Sequence, residues 1–102
     1  MHPVIEDKLP ALRELCRLHK VARLDLFGSA VGDRFDPESS DLDFVVEYLP
    51  TSEPKTLDGY FQFKWALERL FGRDVDLVER PAVSNPYFRQ ELEETQVLVY
   101  AA

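Results

Sequence analysis

The chain has 102 residues, of which 45% are hydrophobic and 30% are charged, and its 19 acidic and 12 basic side chains give a formal net charge of −7. This length suits one small core, so we expect residues 1–102 to form a single domain. The acidic balance disfavours direct binding of nucleic acid, which proteins grip with clustered Lys and Arg. Because there is no apolar stretch of membrane-spanning length, no signal-peptide pattern and only one cysteine, Cys16, we predict a cytoplasmic protein that does not enter the membrane.

Hydrophobic periodicity alternates between helical and strand-like segments along the chain. The predicted elements are a helix over 5–18 whose regular part begins near residue 10, a strand over 21–27, a turn or short helix and a loop over 28–40, a strand over 42–47, a helix over 56–71, a strand over 74–79, a connection over 80–86 and a helix over 87–94. The last apolar segment, 97–100, is either a short strand or a packed tail. This order predicts an α/β (α+β) fold with a small mixed sheet covered by helices.

Two aspartates at the start of the second predicted strand are the best candidates for metal ligands. Asp41 and Asp43 are two residues apart, so in an extended chain both carboxylates point to the same side. An Asp-x-Asp pair by itself equally suits a half-exposed strand that shows its acids to water. The Gly28-Ser29 pair upstream and Ser40 directly before Asp41 favour a functional site.

Asp76 is the candidate for a third carboxylate of the same site. It lies in the strand predicted over 74–79, and pairing of that strand with the preceding one would bring it beside Asp43. Three carboxylates at one point repel each other and raise their own pKa values unless a cation neutralises them. Two Mg²⁺ ions would do so and would clamp the attacking and leaving oxygens of a phosphoryl transfer. The alternative is a solvated strand face.

The turn after the first strand is the candidate site for phosphate. A flexible Gly28-Ser29 turn can direct backbone N–H groups and a hydroxyl toward the β- and γ-phosphates of a nucleoside triphosphate. Arg34 could reach the phosphates from the same loop, although a solvated loop arginine is an equally good interpretation.

Together these residues resemble the minimal nucleotidyltransferase (MNT) family of the DNA polymerase β-like superfamily. The family hallmark is Gly-Ser, a short loop, Ser-Asp-x-Asp and a later aspartate in a strand. Here these are Gly28-Ser29, Ser40-Asp41-Leu42-Asp43 and Asp76. The resemblance spans residues 24–78 by motif and the whole chain by length and element order. It implies the polymerase β-like nucleotidyltransferase core and the transfer of AMP from ATP with release of pyrophosphate.

The resemblance also implies roles and a partner. Asp41 and Asp43 would bind both Mg²⁺ ions, and Asp76 would hold the catalytic ion and help to activate the acceptor hydroxyl. Larger relatives add a domain that binds the acceptor, whereas this chain spends nearly all its length on the nucleotide core. The acceptor is therefore expected to be another protein. This fits the MNT–HEPN pairs, in which the MNT antitoxin adds AMP to a tyrosine of a HEPN ribonuclease toxin.

Two other functions stay open at the level of the sequence. One is a non-catalytic module that binds nucleotide and masks a toxin, since Val31 stands before Gly32 where many members of the family carry an arginine. The other is nucleotidylation of a small hydroxylated molecule such as an aminoglycoside, against which the absence of an added helical domain argues.

Overall fold

The computed structural model of the protein describes residues 3–31, 41–50 and 57–102. Within these ranges the helices are α1 (Pro3–Glu6), α2 (Leu9–Leu18), α3 (Leu57–Phe71) and α4 (Pro86–Thr95), and the strands are β1 (Val21–Phe27), β2 (Leu42–Tyr48), β3 (Val75–Glu79) and β4 (Val97–Ala101). Short 3₁₀ turns follow β1 at Gly28–Val31 and β3 at Arg80–Ala82.

The four strands form one mixed sheet in the order β3-β2-β1-β4. Strand β1 is antiparallel to both of its neighbours, whereas β2 and β3 are parallel. Parallel neighbours need a crossover, and α3 supplies it in a β2–α3–β3 unit. The predicted α+β fold with a small mixed sheet is therefore confirmed, and the final apolar segment is a strand.

Helices α2 and α3 cover one face of the sheet and build the main core with it. The sheet side of this core consists of Val21, Leu24, Leu26, Leu42, Phe44, Val46, Val75, Leu77 and Val99, and the helix side includes Leu12, Cys16, Phe63, Leu67 and Phe71. Burial raises the pKa of the Cys16 thiol to about 12, which agrees with packing in the core rather than with reactivity. Among the helices of the described ranges, none has the length and apolar character that crossing a membrane requires.

The opposite face of the sheet carries a smaller apolar cluster under α4. Val45, Val83 and Leu92 are its buried members, with Phe27, Val78 and Phe88 packed around them. This cluster covers only part of the face. Its strand residues alternate with the core residues along β1, β2 and β3, so the remaining positions of this face are left for polar side chains.

Candidate active site

The pairing of β2 with β3 brings two of the predicted carboxylates together. Asp43 lies directly opposite Asp76 in the parallel register, so both side chains project from the face of the sheet that α2 and α3 leave uncovered. The register is fixed at its start by a hydrogen bond from the Leu42 N–H to the Asp74 carbonyl oxygen at 3.2 Å. The sequence prediction that adjacent pairing places Asp76 beside Asp43 agrees with this geometry.

Asp43 has an unfavourable electrostatic environment. Partial burial raises its pKa, and the negative charges of Asp76 and Asp41 raise it further. Asp41 and Asp76 are themselves exposed to solvent. A cation at this point would reverse the effect, because it would favour the ionised form of all three groups.

The donor set suits a hard cation, although the described residues do not enclose one. All three groups are carboxylates, and oxygen ligands are those that Mg²⁺ prefers. Within residues 3–31, 41–50 and 57–102, no three His, Cys, Asp or Glu side chains are arranged as a ready metal-binding cluster. The sheet therefore assembles the Asp43–Asp76 pair, and a nucleotide's phosphate oxygens and water would have to complete a metal shell.

Gly28 leaves the space that the Asp43 carboxylate occupies. Phe27 lies opposite Asp43 in the antiparallel register, so the chain turns beside that carboxylate. Gly28 has a φ of +74°, and a Cβ atom there would overlap Asp43 Oδ2 and lie 3.1 Å from Cγ. A side chain at this position would meet both backbone strain and a steric collision.

The remaining predicted site residues lie at or beyond the edge of the described ranges. Ser29 belongs to the 3₁₀ turn Gly28–Val31. Ser40 and Arg34, together with the rest of the predicted loop, lie outside the described residues. The assignment of Ser29 and Arg34 to phosphate binding, and of Ser40 to the same nucleotide-binding site, stays a prediction.

Helix α3 fixes the strand that carries Asp76. The Tyr60 hydroxyl donates a hydrogen bond to the Leu77 carbonyl oxygen, and Glu68 Oε2 accepts one from the Val75 N–H at 3.1 Å. Val75 and Leu77 flank Asp76 in β3. These contacts hold β3 in register with β2 at the point where the carboxylates meet.

Sequence reasoning missed a buried ion cluster on the same face. Asp25 is completely buried and accepts hydrogen bonds from Arg23, with Nε–Oδ1 at 2.6 Å and Nη2–Oδ2 at 3.0 Å. Arg80 Nη2 lies 3.1 Å from Asp25 Oδ1 and 2.9 Å from Gln96 Oε1. The cluster thus ties β1 to the turn after β3 and to the end of α4.

Part of that cluster was visible in the sequence. Arg23 and Asp25 are two apart in a predicted strand, so they share a face and can pair. The contact with Arg80, 55 residues further along, depends on the tertiary fold.

The sequence of the chain is similar to that of known proteins. Residues 11–99 match the nucleotidyltransferase domain family. A protein of Methanocaldococcus jannaschii, named as a candidate protein adenylyltransferase, is 32% identical over 100 residues, which cover 89% of this chain and 97% of that protein.

Solved structures share the fold. A candidate minimal nucleotidyltransferase superposes with a TM-score of 0.73 at 30% identity, over 91% of this chain and 90% of that chain. A complex of a tri-AMPylated Shewanella oneidensis HEPN toxin with an MNT antitoxin contains a chain that superposes with a TM-score of 0.67. That match covers 95% of this chain and 73% of the other at 18% identity, so it is a likeness of fold.

Proposed function

Because the chain belongs to the nucleotidyltransferase domain family, we propose that it transfers AMP from ATP to a hydroxyl group of a partner protein and thereby acts as an antitoxin. The partner in this proposal is a HEPN-type ribonuclease toxin, and the acceptor is a tyrosine. The observation that carries the proposal is the Asp43–Asp76 pair beside the turn at Gly28. The type of reaction, nucleotidyl transfer, follows from the family to which the chain belongs.

The chemistry assigns one task to each part of the site. The turn at Gly28 and Ser29 binds the β- and γ-phosphates of ATP. Asp41, Asp43 and Asp76 would hold Mg²⁺, which would supply neutralisation of the charge on the phosphates. The acceptor oxygen forms a bond to the α-phosphorus as the bond to the bridging oxygen breaks, and pyrophosphate leaves. Asp76 helps to remove the hydroxyl proton.

A protein acceptor is supported by two independent observations. The net charge of −7 disfavours nucleic acid and suits a basic or neutral protein partner. Proteins similar to this chain are named for adenylyl transfer to protein or were solved with a HEPN toxin that carries AMP. That this chain works in the cytoplasm is part of the proposal.

Intact mass spectrometry tests the proposal. The protein encoded by the neighbouring gene, tested as the candidate HEPN-type partner, is incubated with ATP and Mg²⁺, with this chain or with its Asp41→Asn/Asp43→Asn variant. The expected result is a mass gain in units of AMP that the variant abolishes. Glu47→Gln is the matched control, because Glu47 is an exposed acid of the same strand at the end away from Asp43.

Other outcomes would replace the proposal. A stable complex with bound ATP and no mass gain would favour a masking module. A wild-type chain that transfers AMP to a small hydroxylated molecule and leaves every candidate protein unmodified would favour the small-molecule reaction.

A further inference from the structure

An aromatic group lies beside the carboxylate pair on the same face of the sheet. Phe27 is the antiparallel neighbour of Asp43, and side chains opposed in this way are about 5 Å apart at Cβ. The Phe88 ring meets the Phe27 ring edge-on, with centroids 5.9 Å apart and planes at 65°. The start of α4 therefore borders the site on the side of β1.

This end of α4 is held firmly in place. The Asn85 side-chain oxygen accepts hydrogen bonds from the Tyr87 and Phe88 N–H groups at 2.9 and 3.2 Å. Leu92 is buried in the small cluster, and Gln96 at the end of the helix is bound by Arg80. The backbone at the start of α4 is consequently placed relative to β1, and the Phe88 ring is held against Phe27.

Tyr87 is mostly exposed to solvent and is not part of the apolar cluster under α4. Its side chain is 82% exposed, the largest exposure among the large hydrophobic residues of the described ranges, and it follows directly on a rigid cap. Trp65, which is 52% exposed, belongs to α3 on the other side of the sheet. Of these two exposed rings, only Tyr87 shares a side of the sheet with Asp43.

We infer that Tyr87, at the exposed start of α4 next to Phe88, is the surface on which the base of the nucleoside triphosphate stacks. The inference rests on the proposed function, since it needs a triphosphate bound between Gly28 and the carboxylates. A ring that stacks without reading hydrogen-bonding groups tolerates every base and favours the larger purines. This surface therefore favours purine over pyrimidine nucleoside triphosphates, with weak discrimination between adenine and guanine.

Two ligands separate base binding from phosphate binding. The affinities of the full chain for ATP and for tripolyphosphate, which lacks a nucleoside, are measured with Mg²⁺ by calorimetry. Tyr87→Ala is expected to weaken ATP binding about ten-fold and to leave tripolyphosphate binding unchanged. Tyr87→Phe keeps the ring and should bind ATP as the wild type does. Trp65→Ala is the matched control for loss of an exposed ring away from the site.

The outcomes distinguish this inference from the function on which it rests. Wild-type binding of both ligands with no specific loss of ATP affinity in Tyr87→Ala would overturn the stacking surface alone. Equal weakening of both ligands in that variant would also overturn it, because the loss would not concern the base. Failure of the wild type to bind either ligand would overturn the proposed function as well.

Discussion

The two faces of the sheet differ in what the same strands contribute to the molecule. On the face under α2 and α3, Leu26, Phe44 and Leu77 are buried among apolar neighbours. On the other face the alternate residues include Asp43 and Asp76, placed side by side at a cost in electrostatic energy. Because side chains of a strand alternate between the two faces, one strand can contribute to a core and to a charged candidate site at once. The first face stabilises the fold, whereas the second carries the candidate site at a cost in stability.

The largest expected effect comes from the core face. Phe44→Ala removes a fully buried ring that packs against Phe71 with centroids 5.9 Å apart. We expect the free energy of unfolding to fall by about 4 kcal/mol, because the cavity cannot collapse in a tightly packed core. Chemical denaturation measures this loss. Leu18→Ala, at a residue 65% exposed, should change stability by less than about 0.5 kcal/mol.

The second effect comes from the site face and concerns activity more than stability. Gly28→Ala puts a methyl group into the Asp43 carboxylate, and displacement of that carboxylate should slow AMP transfer at least about a hundred-fold. Gly72→Ala is the control, since Gly72 has a similar φ of +66° with no atom within 4 Å of the added carbon. Both variants carry about 1 kcal/mol of backbone strain. Equal activity in the two variants would contradict the steric argument.

A third effect distinguishes the buried ion cluster from ordinary surface pairs. Asp25→Asn leaves Arg23 and Arg80 without their buried countercharge and should destabilise the protein by about 2 kcal/mol. Glu14→Gln removes an ion pair of the same 2.6 Å length, but both of its side chains are mostly exposed. Its cost should stay below about 0.5 kcal/mol. Denaturant midpoints of the two variants measure the difference, and similar losses would show that burial is not the deciding factor.

The smallest expected effect is a gain in stability. In metal-free buffer at neutral pH, Asp43→Asn removes a charge that burial and two neighbouring carboxylates disfavour. The free energy of unfolding should therefore rise, by no more than about 1 kcal/mol because solvent screens the site. Below the unfolded pKa of about 4 both states of the wild type hold the proton and the gain vanishes. As the pH rises, the unfolded state ionises first and the wild type loses stability until Asp43 itself has ionised. Thermal unfolding from pH 4 to 7 should therefore show the two proteins diverging.

Much of the fold could be predicted because its signals are local. The alternation of β1 defines its bounds at Val21–Phe27, and Pro10 lies in the first turn of α2, where proline is favoured. The sequence does not decide whether 97–100 forms a strand, because a short apolar segment can either pair with a strand or pack as a tail, depending on what lies next to it in the fold. In the structure it pairs with the edge of β1 that β2 leaves open.

The candidate site could be predicted only in part. The placement of Asp43 beside Asp76 follows once two neighbouring strands are recognised, and residues 11–99 match the nucleotidyltransferase domain family. The burial of Asp25 depends on Arg80 and on α4, which are distant from it in sequence, so no local pattern indicates it. The exposure of Tyr87 depends on how α4 packs against the sheet, which no local pattern specifies.

The affinity of the protein for Mg²⁺ in the presence of a non-hydrolysable ATP analogue, compared among the wild type, Asp43→Asn and Glu47→Gln, tests the carboxylate face most directly. If this face binds the metal, Asp43→Asn weakens Mg²⁺ binding at least about ten-fold, while Glu47→Gln, on the same strand and at its other end, binds as the wild type does. Equal affinity in all three proteins would contradict the claim that the carboxylate face of the sheet is a metal-dependent catalytic centre.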